Sequence, residues 1–547
     1  MTVLARNPSP VSIRLRMLAV LAVLGIAMLA VVGQLLRLGA SGFEEIRTSS
    51  AEPIAQSFAR PDIVDRNGRV IATDVVANSL FADPSLILDR DEVAEKLAHT
   101  LPGLDAAELR ALLADRSRRF VWIRRGLAPV EAQRVHDLGL PGLAFRRELK
   151  RVYPSGQLLG HIVGQVNTDN RGIAGIERYI DESIGVETVH GAVRSEARSV
   201  RLSIDLGVQH AVADELATAA KRYQATGAAG LVMDATGGEI VAAASWPPID
   251  PNHSGSLLDA GRPDRLQGGV YELGSMFKAL TIAMAVDDRI ATLDKVYDVT
   301  RPLVFGRHEI RDLHASGRPL SVRDIFIHSS NVGAAMMAME AGNSRQLVFL
   351  ARMGLTEPIR TEAGPVAPPL LPQRWGEVET ATIAFGHGLA VAPLQFTAVM
   401  ASLVNGGHRV TPTFLMHASS SEPPGEAIIK PGTSAAIREL MRLNVTMAHG
   451  TGRRADVPGY RVGGKTGTAE IPGKGGYQEK SVISSFISAF PMDRPRFLML
   501  VSLFEPQPDH KGGGITAGQN AAPVTAAIVE RIAPILGVLP RKVATAP

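Results

Sequence analysis

The chain has 547 residues, and its 58 lysines and arginines against 54 aspartates and glutamates leave a formal net charge of +4. This length predicts two or three folding units, and the small charge without a concentrated basic run does not favour a nucleic-acid-binding protein. The absence of cysteine excludes disulfides and thiol catalysis, and the 14 scattered histidines form no metal-ligand motif, so we predict no metal and no other cofactor.

The first predicted element is a membrane-spanning helix. Residues 17–36 are apolar apart from Gln34, and about 20 residues at roughly 1.5 Å each span a hydrocarbon core of roughly 30 Å. Arginines are concentrated before the span, which predicts a cytoplasmic tail over residues 1–16 and an exported remainder. A cleaved signal peptide is the alternative, but the run is long for one and no clear small-x-small site follows it. We therefore expect an uncleaved single-pass anchor in the cell inner (cytoplasmic) membrane with a periplasmic catalytic domain.

Residues 37–200 are predicted to form a non-catalytic α+β pedestal of the dimerisation type. Two short β-type runs meet at Asn67-Gly68, a pair that tolerates positive φ and predicts a hairpin. Residues 91–140 have the spacing of short amphipathic helices, and a glycine-rich stretch follows them. The polar segment 190–201 is predicted to be a linker, which places the main domain boundary near residue 200.

Residues 201–541 are predicted to form one catalytic domain. Residues 206–223 have helical spacing, and the two β-type runs that flank Thr236-Gly237-Gly238 predict a hairpin. A long helical region follows, and β-type runs return after residue 463. Strands at both ends of a helical middle imply one sheet closed by distant segments. Residues 542–547 are predicted to be an irregular tail.

Ser275 and Lys278 form the first of three motifs that carry chemistry. They open a buried apolar run three residues apart, so on a helix the lysine can reach the serine hydroxyl. A serine hydroxyl needs a neighbour that takes its proton, and a buried lysine loses its charge easily enough to do so. Taken alone, the pair is better explained as a helix-capping serine followed by a lysine whose end reaches solvent.

The second motif is Ser329-Ser330-Asn331. The Ser329 hydroxyl could relay a proton to a leaving amine, and the Asn331 amide could hold both a peptide carbonyl and Lys278. By itself, this trio is better explained as a helix cap or a turn.

The third motif is Lys465-Thr466-Gly467, followed by Thr468. Lys465 is a cation for a substrate carboxylate, the two threonines add hydroxyls, and Gly467 lets a ligand lie against the strand as an added β-partner. The motif alone could be a simple strand end. However, all three motifs occur once each, in this order.

Together, the three motifs and the order of strands and helices resemble the penicilloyl serine transferases, the family of penicillin-binding proteins and serine β-lactamases. The resemblance implies an α+β fold whose catalytic domain has a five-stranded antiparallel sheet flanked by helices. It implies the following roles: nucleophile Ser275, general base Lys278, second motif Ser329 and Asn331, and a carboxylate site formed by Lys465, Thr466 and Thr468 beside Gly467. The implied oxyanion hole consists of the backbone N–H groups of Ser275 and Thr468.

Within this family the chain resembles a class B penicillin-binding protein of the FtsI cell-division type, from about residue 15 to about residue 535. The residues that carry this resemblance are Asp65-Arg66-Asn67-Gly68, Arg151-Val152-Tyr153-Pro154-Ser155-Gly156, Gly175-Ile176-Glu177, Leu202-Ser203-Ile204-Asp205 and Phe490-Pro491-Met492. Two segments depart from the family pattern: Tyr271-Glu272-Leu273-Gly274 replaces Phe-Glu-Pro-Gly, and Gln267-Gly268 stands where Asn-Arg is common. Both departures concern the approach to the site and leave the nucleophile unchanged.

The implied activity is that of a monofunctional D,D-transpeptidase that β-lactams inhibit. Its implied substrates are peptidoglycan stem peptides ending in D-Ala-D-Ala, and its implied partners are the lipid bilayer, a glycosyltransferase polymerase and division-complex membrane proteins. The segment between anchor and catalytic domain is short for a glycosyltransferase module in addition to a pedestal.

Several alternatives remain open at this point. A β-lactamase shares the motifs but needs a deacylating base, and no Glu-x-x-Leu-Asn follows the second motif. A D,D-carboxypeptidase differs only in using water as the acceptor. An elongation-type transpeptidase and a division scaffold or β-lactam sensor with little turnover are further alternatives.

Overall fold

A computed structural model of the chain describes residues 10–49, 59–184, 199–253, 255–306, 308–313, 316–417, 425–473, 476–510 and 513–541. The predicted irregular tail, residues 542–547, and most of the predicted linker, residues 190–201, lie outside the described residues. The chain divides into two compact units: the first comprises Met1–Ser57 and Val76–Leu149, and the second comprises Phe58–Val75 and Lys150–Pro547.

The N-terminal helix α1 (Pro10–Ser49) contains the predicted membrane span. Its segment Met17–Arg37 is long and apolar enough to cross a membrane, and none of the span is buried in the protein. An apolar helix of this length with every side chain exposed is stable in lipid, where its backbone polar groups are paired internally. Among the described residues this is the one helix long and apolar enough to cross a membrane, which fits a single-pass membrane protein.

Alternating strands and helices follow, and many of them belong to the first unit. They are β1 (Ile63–Val64), β2 (Val70–Ala82), α2 (Arg90–Thr100), α3 (Ala106–Leu112), β3 (Val121–Leu127), α4 (Pro129–Asp137) and β4 (Leu143–Val152). The side chains of Asp89 and Asp105 accept backbone N–H groups at the starts of α2 and α3, which explains where both predicted helices begin. Strand β3 pairs with β2 (Phe81 opposite Trp122), so the helical prediction for residues 91–140 missed one strand.

The second unit begins with the predicted hairpin. Ile63 of β1 lies opposite Ala72 of β2, and Gly68 in the turn has φ +84°. Strand β7 (Val200–Arg201) pairs in parallel with β1. Between β4 and β7 along the chain lie α5 (Gly160–Val163), β5 (Gln165–Val166), β6 (Gly172–Ala174) and α6 (Gly175–Tyr179).

A buried ion network holds this part of the second unit together. Glu177 accepts hydrogen bonds from Arg60 Nε at 2.8 Å and from Arg151 Nε at 2.6 Å, and Arg151 also pairs with Asp74 at 3.2 Å. The side chains of Glu177 and Arg151 have no exposed surface. The family motifs around residues 151 and 177 therefore contribute the two sides of one buried salt bridge.

The catalytic sheet has five antiparallel strands, as predicted. Its strands are β8 (Gly227–Asp234), β9 (Ile240–Trp246), β16 (Gly463–Gly473), β17 (Gly476–Phe490) and β18 (Phe497–Phe504), in the order β16-β17-β18-β8-β9. Side chains alternate between two cores: Leu231 packs in one, and Val232 packs in the other with Val212 and Ile528. The latter two belong to α7 (Leu206–Arg222) and α15 (Ala521–Ile535), which cover one face of the sheet.

A helical region covers the other face. Its helices are α8 (Lys278–Asp287), α9 (Val322–His328), α10 (Asn331–Ala341), α11 (Asn343–Arg352), α12 (Glu377–Ile383), α13 (Pro393–Val404) and α14 (Pro431–Thr446). Short strands lie between them: β10 (Val296–Tyr297), β11 (Leu303–Phe305), β12 (His308–Ile310), β13 (Leu320–Ser321), β14 (Arg360–Thr361) and β15 (Gly364–Pro365). The residues of the three sequence motifs lie at the ends of α8, α9 and α10 and on the outer strand β16.

Candidate active site

Ser275 lies in a single 3₁₀ turn, Gly274–Phe277, directly before α8. The sequence predicted that it opens an α-helix, whereas the helix proper begins at Lys278. A 3₁₀ turn has three residues per turn and eclipses side chains at i and i+3. Lys278 Nζ accordingly lies 3.0 Å from Ser275 Oγ.

Glycines on both sides allow this turn to fit. Gly274 has φ +55°, and a Cβ there would lie 2.7 Å from the carbonyl oxygen of Thr468. Gly386 has φ +89°, and a Cβ there would lie 2.1 Å from the carbonyl oxygen of Gly274. Distances this short exclude any side chain, so the nucleophile turn is wedged between β16 and the segment that follows α12.

Lys278 is fully buried and surrounded by oxygen atoms. Besides Ser275 Oγ, its Nζ donates to Asn331 Oδ1 at 2.7 Å, to the Ser329 carbonyl at 2.5 Å and to Ser329 Oγ at 3.1 Å. Burial, followed by the charge of Lys465, holds the pKa of Lys278 well below its usual value, although Asp312 acts in the opposite direction. A neutral amine beside a serine hydroxyl can accept that hydroxyl's proton.

Ser329 ends α9 in the left-handed conformation, with φ 61° and ψ 42°. This backbone region is sparsely populated by residues other than glycine, and such residues cluster at active sites. The conformation places Ser329 Oγ between two lysine side-chain nitrogens, 3.1 Å from Lys278 Nζ and 2.9 Å from Lys465 Nζ. One hydroxyl thus connects the first and third motifs.

Asp312 supports the second motif, and sequence reasoning missed it. It accepts hydrogen bonds from Ser330 Oγ at 2.6 Å and from the backbone N–H groups of Asn331 at 2.5 Å and Val332 at 3.0 Å. These N–H groups open α10, where a carboxylate is favourable. Asp312 therefore fixes the orientation of Asn331, yet no local spacing rule links the two residues.

Lys465 is fully buried on β16, and burial lowers its pKa to about 7. Its neighbour Thr466 donates from Oγ1 to Thr451 Oγ1 at 2.8 Å. Thr451 in turn bonds Asn444 Oδ1, and Asn444 Nδ2 donates to the carbonyl of Gly464 at 2.8 Å. Through this chain of hydrogen bonds, α14 fixes the position of the strand that carries the third motif.

The outer strand β16 packs against the nucleophile turn through Gly467. A Cβ at Gly467 would lie 2.4 Å from the carbonyl oxygen of Leu273, so only glycine fits there. The next residue, Thr468, accepts the backbone N–H of Ala517 on its Oγ1 at 3.2 Å. Among the strands that the structure describes, only β17 pairs with β16, so a peptide can add to the other side of β16.

A cleft of about 710 Å³ is lined by five of the predicted site residues. Its lining includes Ser275, Ser329, Asn331, Thr466 and Thr468 from the three motifs. It also includes residues that the sequence did not single out, namely Asp312, Leu313, His328, Phe385, His387, Thr451, Arg453, Arg454, Glu470 and Gln519. All the predicted site residues therefore lie in or directly beside one cleft.

Two family models match the chain. Residues 228–530 match the penicillin-binding protein transpeptidase domain, and residues 56–187 match the penicillin-binding protein dimerisation domain. The first match covers more than half of the chain and includes all three motifs.

Several curated proteins are similar over most of their length. A Caulobacter vibrioides protein named probable peptidoglycan D,D-transpeptidase FtsI is 38% identical over 88% of this chain and 82% of its own. A Neisseria meningitidis protein named probable peptidoglycan D,D-transpeptidase PenA is 32% identical, and the Escherichia coli peptidoglycan D,D-transpeptidase FtsI is 29% identical, each over 89% of this chain and 86% of its own.

The chain thus belongs to the penicillin-binding protein transpeptidases, with a dimerisation domain before the catalytic domain. The sequence-based prediction of a class B penicillin-binding protein of the FtsI type is confirmed.

Proposed function

We propose that this protein is the peptidoglycan D,D-transpeptidase of septal cell-wall synthesis and that it cross-links stem peptides through an acyl-enzyme on Ser275. The observation that carries the proposal is the 3.0 Å approach of the buried Lys278 amine to Ser275 Oγ. The names of the relatives support the same activity.

In the acylation step, Ser275 Oγ attacks the carbonyl between the two terminal D-alanines. Lys278 takes the hydroxyl proton as the new C–O bond forms. The C–N bond then breaks, the leaving amine of D-alanine receives a proton from Ser329 Oγ, and Lys278 passes the proton that it took from Ser275 to Ser329 Oγ. Backbone N–H groups of Ser275 and Thr468 stabilise the oxyanion, and Asn331 orients the substrate amide.

In the transfer step, an amine of a neighbouring stem attacks the ester. A new amide bond forms, the ester bond to Ser275 breaks, and the proton of the attacking amine returns to Ser275 Oγ through Lys278. Lys465 and the hydroxyls of Thr466 and Thr468 bind the carboxylate of the D-alanine end or of a β-lactam.

We also propose a monofunctional enzyme anchored in the cytoplasmic membrane. Residues 1–16 lie in the cytoplasm, residues 37–200 form the pedestal, and residues 201–541 form the transpeptidase domain on the periplasmic side. Such an enzyme depends on a separate glycosyltransferase polymerase and on division-complex membrane proteins for its substrate.

The test uses a labelled penicillin and peptide mass spectrometry. The full chain in detergent is incubated with the penicillin, and the adduct is located in wild-type and Ser275→Ala protein. We expect a stable adduct on Ser275 and none in the variant, because the hydroxyl that we assign as the nucleophile is then missing. Labelling that survives in Ser275→Ala refutes the assignment, and rapid release of the adduct identifies a β-lactamase instead.

A further inference from the structure

Glu470 is a carboxylate in the active-site cleft that the mechanism above does not use. Because side chains alternate along a strand, Thr466, Thr468 and Glu470 project from the same side of β16, and all three line the cleft. Glu470 is half-buried. Among the residues that the structure describes, none forms a hydrogen bond or ion pair with its side chain.

The two ends of the cleft differ in charge. At one end, Thr466 lines the cleft next to the buried Lys465. Thr466 is hydrogen-bonded to Thr451, and the exposed Arg453 and Arg454 line the same end. At the other end, Glu470 lies close to His387. Burial lowers the pKa of His387, so that ring contributes no positive charge near Glu470 at neutral pH. Ser275 lies between these two ends, beside Gly467 and Thr468.

The position of the substrate follows from the proposed function, on which this inference rests. The terminal carboxylate of the donor peptide lies at Lys465, and its scissile carbonyl lies at Ser275, level with Thr468. A peptide in this orientation runs antiparallel to β16 on the strand's unpaired side. At about 3.4 Å per residue, the residue before D-Ala-D-Ala then lies level with the Ala469-Glu470 segment of β16.

The chemistry of the reaction places a positive charge there. The acceptor in the transfer step is an amine of a neighbouring stem, and donor and acceptor stems are copies of the same unit. The donor stem therefore carries the same amine. Both D-alanine nitrogens are already in peptide bonds, so this amine belongs to an earlier residue and is an ammonium group at neutral pH.

We infer that Glu470 binds the ammonium group of the donor stem peptide, upstream of the scissile bond. The contact selects donors that carry a free amine. It also holds that amine about two residues along the strand from the acyl carbonyl, so the donor's own amine cannot replace the acceptor in the attack.

The test compares two donors that differ by one charge. These are Nα-acetyl-L-lysyl-D-alanyl-D-alanine, whose ε-amine is free, and its Nα,Nε-diacetyl counterpart, with kcat/KM for D-alanine release as the readout. We expect the wild-type protein to prefer the free amine by about tenfold, as a charge-assisted hydrogen bond provides. Glu470→Gln should reduce the ratio to about one, and Glu470→Asp should retain a preference.

The outcomes separate this inference from the proposed function. Benzylpenicillin carries no ammonium group, so its labelling of Ser275 tests the catalytic assignment alone. If benzylpenicillin does not label Ser275, the proposed function is wrong. If labelling succeeds but the wild-type protein does not distinguish the two donors, or if Glu470→Gln keeps the preference, the inference is wrong. An equal loss for both donors in Glu470→Gln also overturns it, because Glu470 is then a structural residue.

Discussion

Two buried lysines lie on either side of the Ser329 hydroxyl, and the groups around them differ. Burial lowers the pKa of both lysines, and for Lys278 the charge of Lys465 acts in the same direction while Asp312 acts against it. The proposed mechanism needs a range of pH in which Lys278 is a neutral base and Lys465 is still a charged carboxylate-binding group. Two amines with the same intrinsic chemistry thereby take different roles.

This arrangement predicts a bell-shaped pH profile for acylation. Protonation of Lys278 on the acidic side removes the base, and loss of the Lys465 charge above about pH 7 removes the cation for the substrate carboxylate. The second-order rate constant for acylation by benzylpenicillin should therefore fall on both sides, since it reports on the free enzyme. In Lys465→Arg, whose guanidinium stays charged, the alkaline decline should shift to higher pH. An unchanged alkaline decline in that variant means that another group titrates.

Among single residues, the sequence was sufficient to find those catalytic side chains that lie at a characteristic spacing along the chain. Ser275 and Lys278 are three residues apart, and their proximity follows from local geometry. Asp312 and Asn444 were missed because each acts through tertiary contacts, one on the start of α10 and the other on the backbone of β16. Such contacts have no characteristic spacing along the chain.

Among the elements, the segments around residues 60, 151 and 177 depend on the buried ion network. Arg60 and Arg151 both pair with Glu177, and all three side chains are almost completely buried. Removing one member of a buried ion group leaves the others without compensation for their lost hydration. The network is therefore expected to be sensitive to single substitutions.

We predict that Glu177→Gln lowers the unfolding free energy of the second unit by about 3–5 kcal/mol, the usual result of breaking a buried pair. The measurement is urea denaturation of the full chain in detergent, and the loss of penicillin labelling reports unfolding of the second unit. Glu182→Gln is the matched control: Glu182 pairs with Arg178 at 2.6 Å, but its side chain is 54% exposed. That pair should contribute less than about 1 kcal/mol. Equal midpoints for the two variants contradict the prediction.

Element boundaries were predictable where a cap or a turn marks them. Asp89, Asp105 and Asp205 each cap a helix that the apolar spacing had already indicated. Strand β3 was missed because Arg124 and Arg125 interrupt any simple alternation. Arg125 is nevertheless accommodated by a salt bridge to Glu148 and by contact with the Trp122 ring.

For the whole molecule, the catalytic sheet depends on residues far apart in the chain. Strand β18 lies between β17 and β8, and Val501 is opposite both Phe486 and Gly230. The sequence indicated that distant segments close one sheet, but strand order depends on long-range pairing that periodicity does not encode. The resemblance to a known family supplied the strand number instead.

This topology makes the last strand indispensable. A chain that ends after Phe490 lacks β18 and leaves β17 and β8 without their shared partner. We predict that it neither accumulates in soluble or detergent-extractable form nor reacts with labelled penicillin. A chain that ends after Arg541 is the control and should be labelled like the full chain. Labelling of the shorter chain contradicts the strand order described above.

The unpaired side of β16 has a consequence for drug resistance. A ligand that adds to this strand is held by main-chain N–H and C=O groups, which every residue except proline possesses, so no side-chain change other than a proline substitution can remove one of them. Escape from such an inhibitor must instead displace the strand. The positions most able to do so are Gly464, whose Cβ would lie 2.5 Å from the Ile487 carbonyl oxygen, and Gly467. Since the natural substrate uses the same main-chain groups, each displacement also weakens cell-wall synthesis.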